Sequence, residues 1–220
     1  MRSNNKIPEE FKKRFIQFAE DAGVLKFGTF TLKSGRISPY FFNAGLFSNG
    51  HAASRLGAYY AHAITDAKIE FDMLFGPAYK GIPLVTLTAA ALAAHHDINV
   101  PYAYNRKEIK AHGEGGNIVG APLMGKVLTI DDVVTAGTAG REAHQLITTA
   151  GAENAGMVIA LDRQEVGQAS ISAVQELEQA LSAPVISIVK LQELIELLES
   201  NSEYGEFLGP VLKYRERYGC

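Results

Sequence analysis

Two adjacent carboxylates, Asp131 and Asp132, follow the largely apolar run Val127-Leu128-Thr129-Ile130 and precede the small residues Val133-Val134-Thr135-Ala136-Gly137-Thr138-Ala139. The order is strand, acid pair, loop, helix. Gly137 and the small side chains around it let backbone N–H groups approach an anion closely, and a helix start adds the positive end of its dipole. The hydroxyls of Thr135 and Thr138 can donate to a phosphate. Two carboxylates repel phosphate, but they accept hydrogen bonds from vicinal sugar hydroxyls or support a Mg2+ carried by a substrate. One ligand satisfies both halves: a phosphorylated ribose. The bland alternative is a tight turn with a solvated acidic pair. A nucleotide-binding P-loop is excluded because no G-x-x-x-x-G-K-[ST] occurs, and Gly113-Glu114-Gly115-Gly116 has no strand leading directly into it, as a dinucleotide fingerprint requires.

Further candidates are cationic or aromatic. Arg106, Lys107, Lys110 and His112 crowd a glycine-containing segment opposed by Glu108 and Glu114. Such a segment is usually just solvated, but cations beside flexible glycines also suit a lid over a polyanion. Arg163 follows an apolar strand and can pair with a planar carboxylate in bidentate fashion; in isolation it reads as a surface ion-pair former. Phe41 and Phe42, taken singly, read as core residues. His51, His62, His95, His96 and His144 have no partners at metal-ligand spacing and read as structural.

The elements that must position these residues follow from periodicity. Residues 8–22 repeat apolar positions at helical spacing, with Gly23 as C-cap. Two β-rich segments flank Lys33-Ser34-Gly35-Arg36 as a hairpin, Pro39 pushing its second arm toward an edge. Beyond it, helices at 51–66, 81–96, 138–150 and about 170–181 alternate with strands at 71–75, 100–104, 127–130, 155–161 and 185–189. A glycine-rich charged loop is expected over 105–120, and one or two polar helices close the chain. This alternation predicts an α/β fold with a central, mostly parallel sheet flanked by helices. Ligands of such sheets sit at the carboxyl ends of the strands. One domain is expected over 1–220: an N-terminal hood subdomain (1–45) with a helix and β-hairpin, an α/β core (46–190), and C-terminal helices (191–220).

Composition fits an ordinary globular protein, with 47% hydrophobic and 20% charged residues. A formal net charge of −3 argues against a bulk grip on nucleic acid. No run of about 18 uncharged apolar residues suggests a membrane span. The single cysteine, Cys220, excludes an internal disulfide and suits a cytoplasmic location.

The 127–139 segment resembles the phosphoribosyl pyrophosphate (PRPP) motif of type I phosphoribosyltransferases, whose acid pair holds the ribose hydroxyls while the next loop cradles the 5-phosphate. Three further blocks are similar to the orotate phosphoribosyltransferases: Phe27-Gly28 through Asn43 (the hood), Phe75-Gly76-Pro77-Ala78-Tyr79-Lys80-Gly81 (a pyrophosphate turn), and Asn105-Arg106-Lys107-Glu108 through Gly116 (a mobile catalytic loop). Leu161-Asp162-Arg163-Gln164-Glu165 matches that family's strand end. Ala111 departs from the pattern, standing where the family commonly has Asp.

The resemblance implies transfer of phosphoribose from PRPP to N1 of orotate, with Mg2+ as cofactor held mainly by PRPP near Asp131 and Asp132. It implies catalytic roles for Lys110, Asp131 and Asp132. PRPP contacts would come from Lys33, Tyr79, Lys80, Arg106, Lys107, Lys110, His112 and residues 131–139, and orotate contacts from Phe41, Phe42, Thr135 and Arg163. A non-proline cis peptide is expected at Ala78-Tyr79, and a homodimer whose loop cations reach the partner's site. Two rivals stand beside it. A purine-specific sister enzyme would make Arg163 dispensable. A PRPP-sensing regulator that binds nucleic acid would need a basic face or an added DNA-binding segment.

Overall fold

The computed structural model describes residues 8–32, 35–110 and 116–220, with only the backbone described for Ile109, Lys110, Gly116 and Glu203. The chain opens with helix α1 (Glu9–Asp21) and an antiparallel pair, β1 (Leu25–Thr31) and β2 (Ile37–Phe42). Helix α2 (Gly50–Ala67) then leads into strand β3 (Met73–Gly76), helix α3 (Gly81–His96) and strands β4 (Tyr102–Lys110), β5 (Gly116–Gly120) and β6 (Lys126–Ile130). Helix α4 (Thr138–Thr149), strand β7 (Glu153–Asp162), helix α5 (Ala173–Leu181), strand β8 (Val185–Lys190) and helices α6 (Leu191–Ser200) and α7 (Gly205–Tyr218) complete it.

Strands β3 to β8 form one sheet in the order β5-β4-β3-β6-β7-β8, parallel except for β5 at one edge. Burial explains this choice. All of β3, residues 127–130 of β6 and residues 156–162 of β7 are buried, as strands covered by helices on both faces must be. The chain moves outward from β3 toward β4 on one side and from β6 toward β7 on the other. The sheet therefore has its topological switch point between β3 and β6, where open α/β sheets bind ligands.

The expected loop over 105–120 is corrected by the structure. Strand β4 runs on to Lys110, and β5 returns antiparallel, pairing Ala103 with Gly120, Asn105 with Ile118, and Lys110 with Gly116 across a register shift. Polar residues dominate this projecting edge, so it has no alternating apolar face to announce it, yet residues 103–105 and Lys110 find ladder partners in β5. Strand β4 begins at Tyr102 and β3 at Met73, two residues after their expected starts. Helix α5 starts at Ala173 because Ser172 and Gln175 form a reciprocal capping box. The terminal helices are less polar than expected: α6 buries Leu191, Leu194, Ile195 and Leu198, and α7 buries Val211 and Tyr214.

Both chain ends meet at one side of the sheet. Helix α1 packs on β8 and α6, with Lys12 paired to Glu193, while α7 packs on β2. The β1–β2 hairpin is thereby held near the carboxyl end of β7.

Candidate active site

The acid pair lies at the carboxyl end of β6, beside the switch point. Asp131 and Asp132 are buried, 7% and 5% exposed. The backbone fixes both: Asp131 N–H donates to Val158 O (3.0 Å), and Asp132 O accepts from Ala160 N–H (2.8 Å). Tyr60 of α2, fully buried, donates its hydroxyl to Asp131 O at 2.7 Å. Each carboxylate also accepts the next amide, Asp132 N–H at 2.9 Å and Val133 N–H at 2.9 Å. Burial first, and then the neighbouring Asp132, push the Asp131 pKa up to about 7 against the pull of that amide and of Lys80.

The following loop is an open cradle. Gly137 takes a left-handed conformation (φ 70°) that lets α4 begin abruptly at Thr138. Among the described residues, none accepts a hydrogen bond from the amides of Thr135, Ala136, Gly137 or Thr138. Thr135, Ala136 and Thr138 are exposed. Val133 bridges to Leu161, Val134 is buried against α5 and β7, and Ala139 is half-buried. Arg141, one turn into α4, donates to Ala136 O at 2.6 Å and braces the cradle.

Across the switch point, β3 ends in the turn at 77–80, and Lys80 Nζ reaches Asp132 Oδ2 at 2.5 Å. The Ala78–Tyr79 peptide is cis. Gly76 cannot be replaced here, since a Cβ would lie 2.2 Å from Gly81 O. Ala78 N–H donates to Asn105 Oδ1 of β4 (2.8 Å), tying this turn to the strand that carries the loop cations. Lys107 Nζ lies 5.3 Å from the centroid of the exposed Tyr79 ring. Arg106 is half-buried. Lys110 ends β4, whereas Lys33 and His112 lie outside the described residues.

The surroundings of Arg163 are assembled from distant segments. Arg163 follows β7 and is buried, 7% exposed, with its guanidinium 4.3 Å from the Tyr40 ring centroid. Its Nε donates to Glu165 Oε1 (2.6 Å) and its Nη2 to Ser38 Oγ (3.1 Å) and Tyr214 OH (3.3 Å). Burial works against its charge, but Tyr40, Glu165 and Tyr214 outweigh that and hold its pKa above the usual value. Phe41 is half-buried and stacks on Phe30 (centroids 5.5 Å apart), whereas Phe42 is buried in the main core.

Sequence reasoning gave no role to Tyr60, Asn105, Arg141, Glu165, Ser38 or Tyr214. Asn105, Glu165 and Ser38 stood inside the quoted motifs. Tyr214 lies in a terminal helix whose pattern carries no chemical signal.

Two open cavities flank these groups. One of about 800 Å³ lies between β4, β5 and α4 and includes Arg106 and Lys107. Another of about 780 Å³ lies between the hairpin and α7 and includes Arg36, Ser38 and Tyr214. Neither is lined by the acid pair. Among the described residues, no three His, Cys, Asp or Glu side chains gather as a metal cage. Two carboxylates beside an anion cradle suit a Mg2+ ion that keeps most of its ligands from a phosphorylated substrate.

The Phosphoribosyl transferase domain family matches residues 46–180. The chain is 58% identical over 209 residues to the orotate phosphoribosyltransferase of Klebsiella pneumoniae, covering 95% of this chain and 98% of that one. It is 58% identical over 211 residues to that of Saccharophagus degradans, covering 96% and 99%. Its fold is similar to the crystal structure of orotate phosphoribosyltransferase from Francisella tularensis, with TM-score 0.85, 44% identity, and 94% and 100% of the two chains covered.

Proposed function

The chain belongs to the orotate phosphoribosyltransferases, and from that premise we propose how its residues divide the reaction among them. The activity is transfer of the 5-phosphoribosyl group of PRPP to N1 of orotate, giving orotidine 5'-phosphate and pyrophosphate in pyrimidine biosynthesis. The observation that carries the division of roles is the Lys80–Asp132 contact, which brings the turn after β3 within one side chain of the acid pair after β6.

The 5-phosphate rests on the amides of 135–138 and the start of α4, assisted by the hydroxyls of Thr135 and Thr138. Asp131 and Asp132 accept hydrogen bonds from the ribose hydroxyls and orient C1. Pyrophosphate lies over the 77–80 turn, contacted by Tyr79, Lys80, Arg106, Lys107 and Lys110; Lys33 and His112 belong to the same set. Asp131 and Asp132 would support a Mg2+ ion brought by PRPP, which would supply positive charge to the leaving pyrophosphate. Orotate lies along Phe41 and Phe42 near Thr135, its carboxylate on Arg163. As the C1–O bond lengthens, the ribose gains positive and the leaving group negative charge. Lys110 and its neighbours stabilise that negative charge. N1 attacks the opposite face and inverts C1, while closure of the cationic segment keeps water away. We further propose that the enzyme acts as a homodimer sharing those cations between sites.

The assay is direct: protein, orotate, PRPP and Mg2+ are mixed and the ultraviolet absorbance of orotate is followed. A fall that depends on all components is expected. A flat trace, with adenine or uracil consumed instead, would move the chain to a sister activity.

A further inference from the structure

We propose that Glu165 and Tyr214 are positioning residues that present Arg163 to the substrate's carboxylate, making helix α7 part of the base-recognition end of the site. The inference rests on the reading of Arg163 given above and extends it to residues to which the sequence motifs gave no role.

The hydrogen bonds leave little freedom. Ser38 sends its single hydroxyl proton to Tyr40 O (2.7 Å), and Tyr214 sends its own to Glu165 Oε1 (2.8 Å). Each hydroxyl can therefore only accept from Arg163 Nη2. Glu165 Oε1 takes Arg163 Nε as well, closing a ring of three side chains drawn from β7's end and α7. The Nε edge and Nη2 are thus occupied within the protein. Among the described residues no acceptor takes Nη1, so Nη1 is the end of the fork left for a ligand. With Tyr40 beneath the guanidinium plane, the fork cannot swing without breaking several contacts at once.

Charge points the same way. Glu165 Oε2 also accepts from Arg36 Nη1 at 3.1 Å. Two guanidiniums share one carboxylate, and the trio keeps one unit of positive charge around a buried arginine. The other charged side chains of the adjoining cavity, Glu206, Lys213 and Arg217, are exposed and screened by water. A planar substrate with one carboxylate completes neutrality. A neutral pyrimidine leaves the buried charge uncompensated and is rejected, because a site built around a polar group discriminates strongly against a ligand lacking it.

The test compares Tyr214→Phe, Ser38→Ala, Arg163→Ala and the double variant Y214F/R163A by steady-state kinetics with each substrate varied. Loss of the Tyr214 hydroxyl should raise KM for orotate about tenfold, as expected for a lost hydrogen bond to a charged group. KM for PRPP should hold, and the preference for orotate over uracil should fall. In the Arg163→Ala background the Tyr214→Phe effect should vanish, which a merely structural contribution would not do. Should Y214F not fold, Ser38→Ala probes the same Nη2 from the hairpin, with the same pattern expected. An impaired R163A beside a wild-type orotate KM in Y214F, or equal shifts in both substrates' KM, would overturn the positioning role alone. An R163A enzyme with unchanged orotate KM would overturn the reading of Arg163 and this inference with it.

Discussion

Asp131 shows how a single side chain ties chemistry to stability. Its pKa is raised from 3.8 to about 7, chiefly by burial. The folded protein therefore prefers it protonated. The stability linked to that proton is fully present below pH 3.8 and is lost as pH rises through about 7, a difference on the order of 4 kcal/mol. Asp131→Asn, neutral throughout, should melt higher than the parent at pH 8, and the gap should close toward pH 4. Thermal denaturation at the two pH values checks this; an equal gap at both would contradict it. PRPP affinity should also rise with pH through about 7 as the carboxylate ionises to accept the ribose hydroxyls. Lys110 belongs to the same scale. Lys110→Ala should lower kcat on the order of 10²–10³-fold while the melting temperature holds. Unchanged turnover would remove its role at the leaving group.

Elements position these residues, and the cradle depends on how β6 gives way to α4. Gly137→Ala forces a Cβ into a left-handed backbone, and that Cβ would lie 2.9 Å from Arg141 Nη1, the group bracing Ala136 O. A loss of about 1–2 kcal/mol is expected, with a raised KM for PRPP and little change for orotate. Calorimetry and kinetics on one preparation read both. This strand-loop-helix unit was legible because its apolar run, acids and small residues each have a local physical meaning. The helix at 81–96 was legible to the residue, since glycine and the turn before it mark its start. The β4–β5 ribbon was not, because it is a polar edge with no apolar face to announce it, paired at residues 103–105 and again at Lys110 across a register shift. The surroundings of Arg163 were hidden for another reason. Ser38 and Tyr214 lie 125 and 51 positions from it, and only tertiary packing brings them together.

At the scale of the whole molecule, the sheet gathers three loops at its carboxyl edge, while α1, α6 and α7 pack beside the proposed base-binding side. The proposed dimer adds a fourth contribution from the partner. Lys110→Ala and Arg163→Ala, each strongly impaired alone, should regain about a quarter of parental activity when mixed and allowed to exchange subunits, because half the dimers then hold one intact shared site. No recovery would place both residues in the same subunit's site. The fold's central demand is that one ligand span the switch point with its phosphate on residues 135–138 and its sugar on Asp131 and Asp132. A crystal structure with PRPP and Mg2+ measures this most directly. The ribose hydroxyls are expected within hydrogen-bonding distance of both carboxylates, and the 5-phosphate on the loop amides. PRPP bound with its phosphate away from that loop would contradict the account.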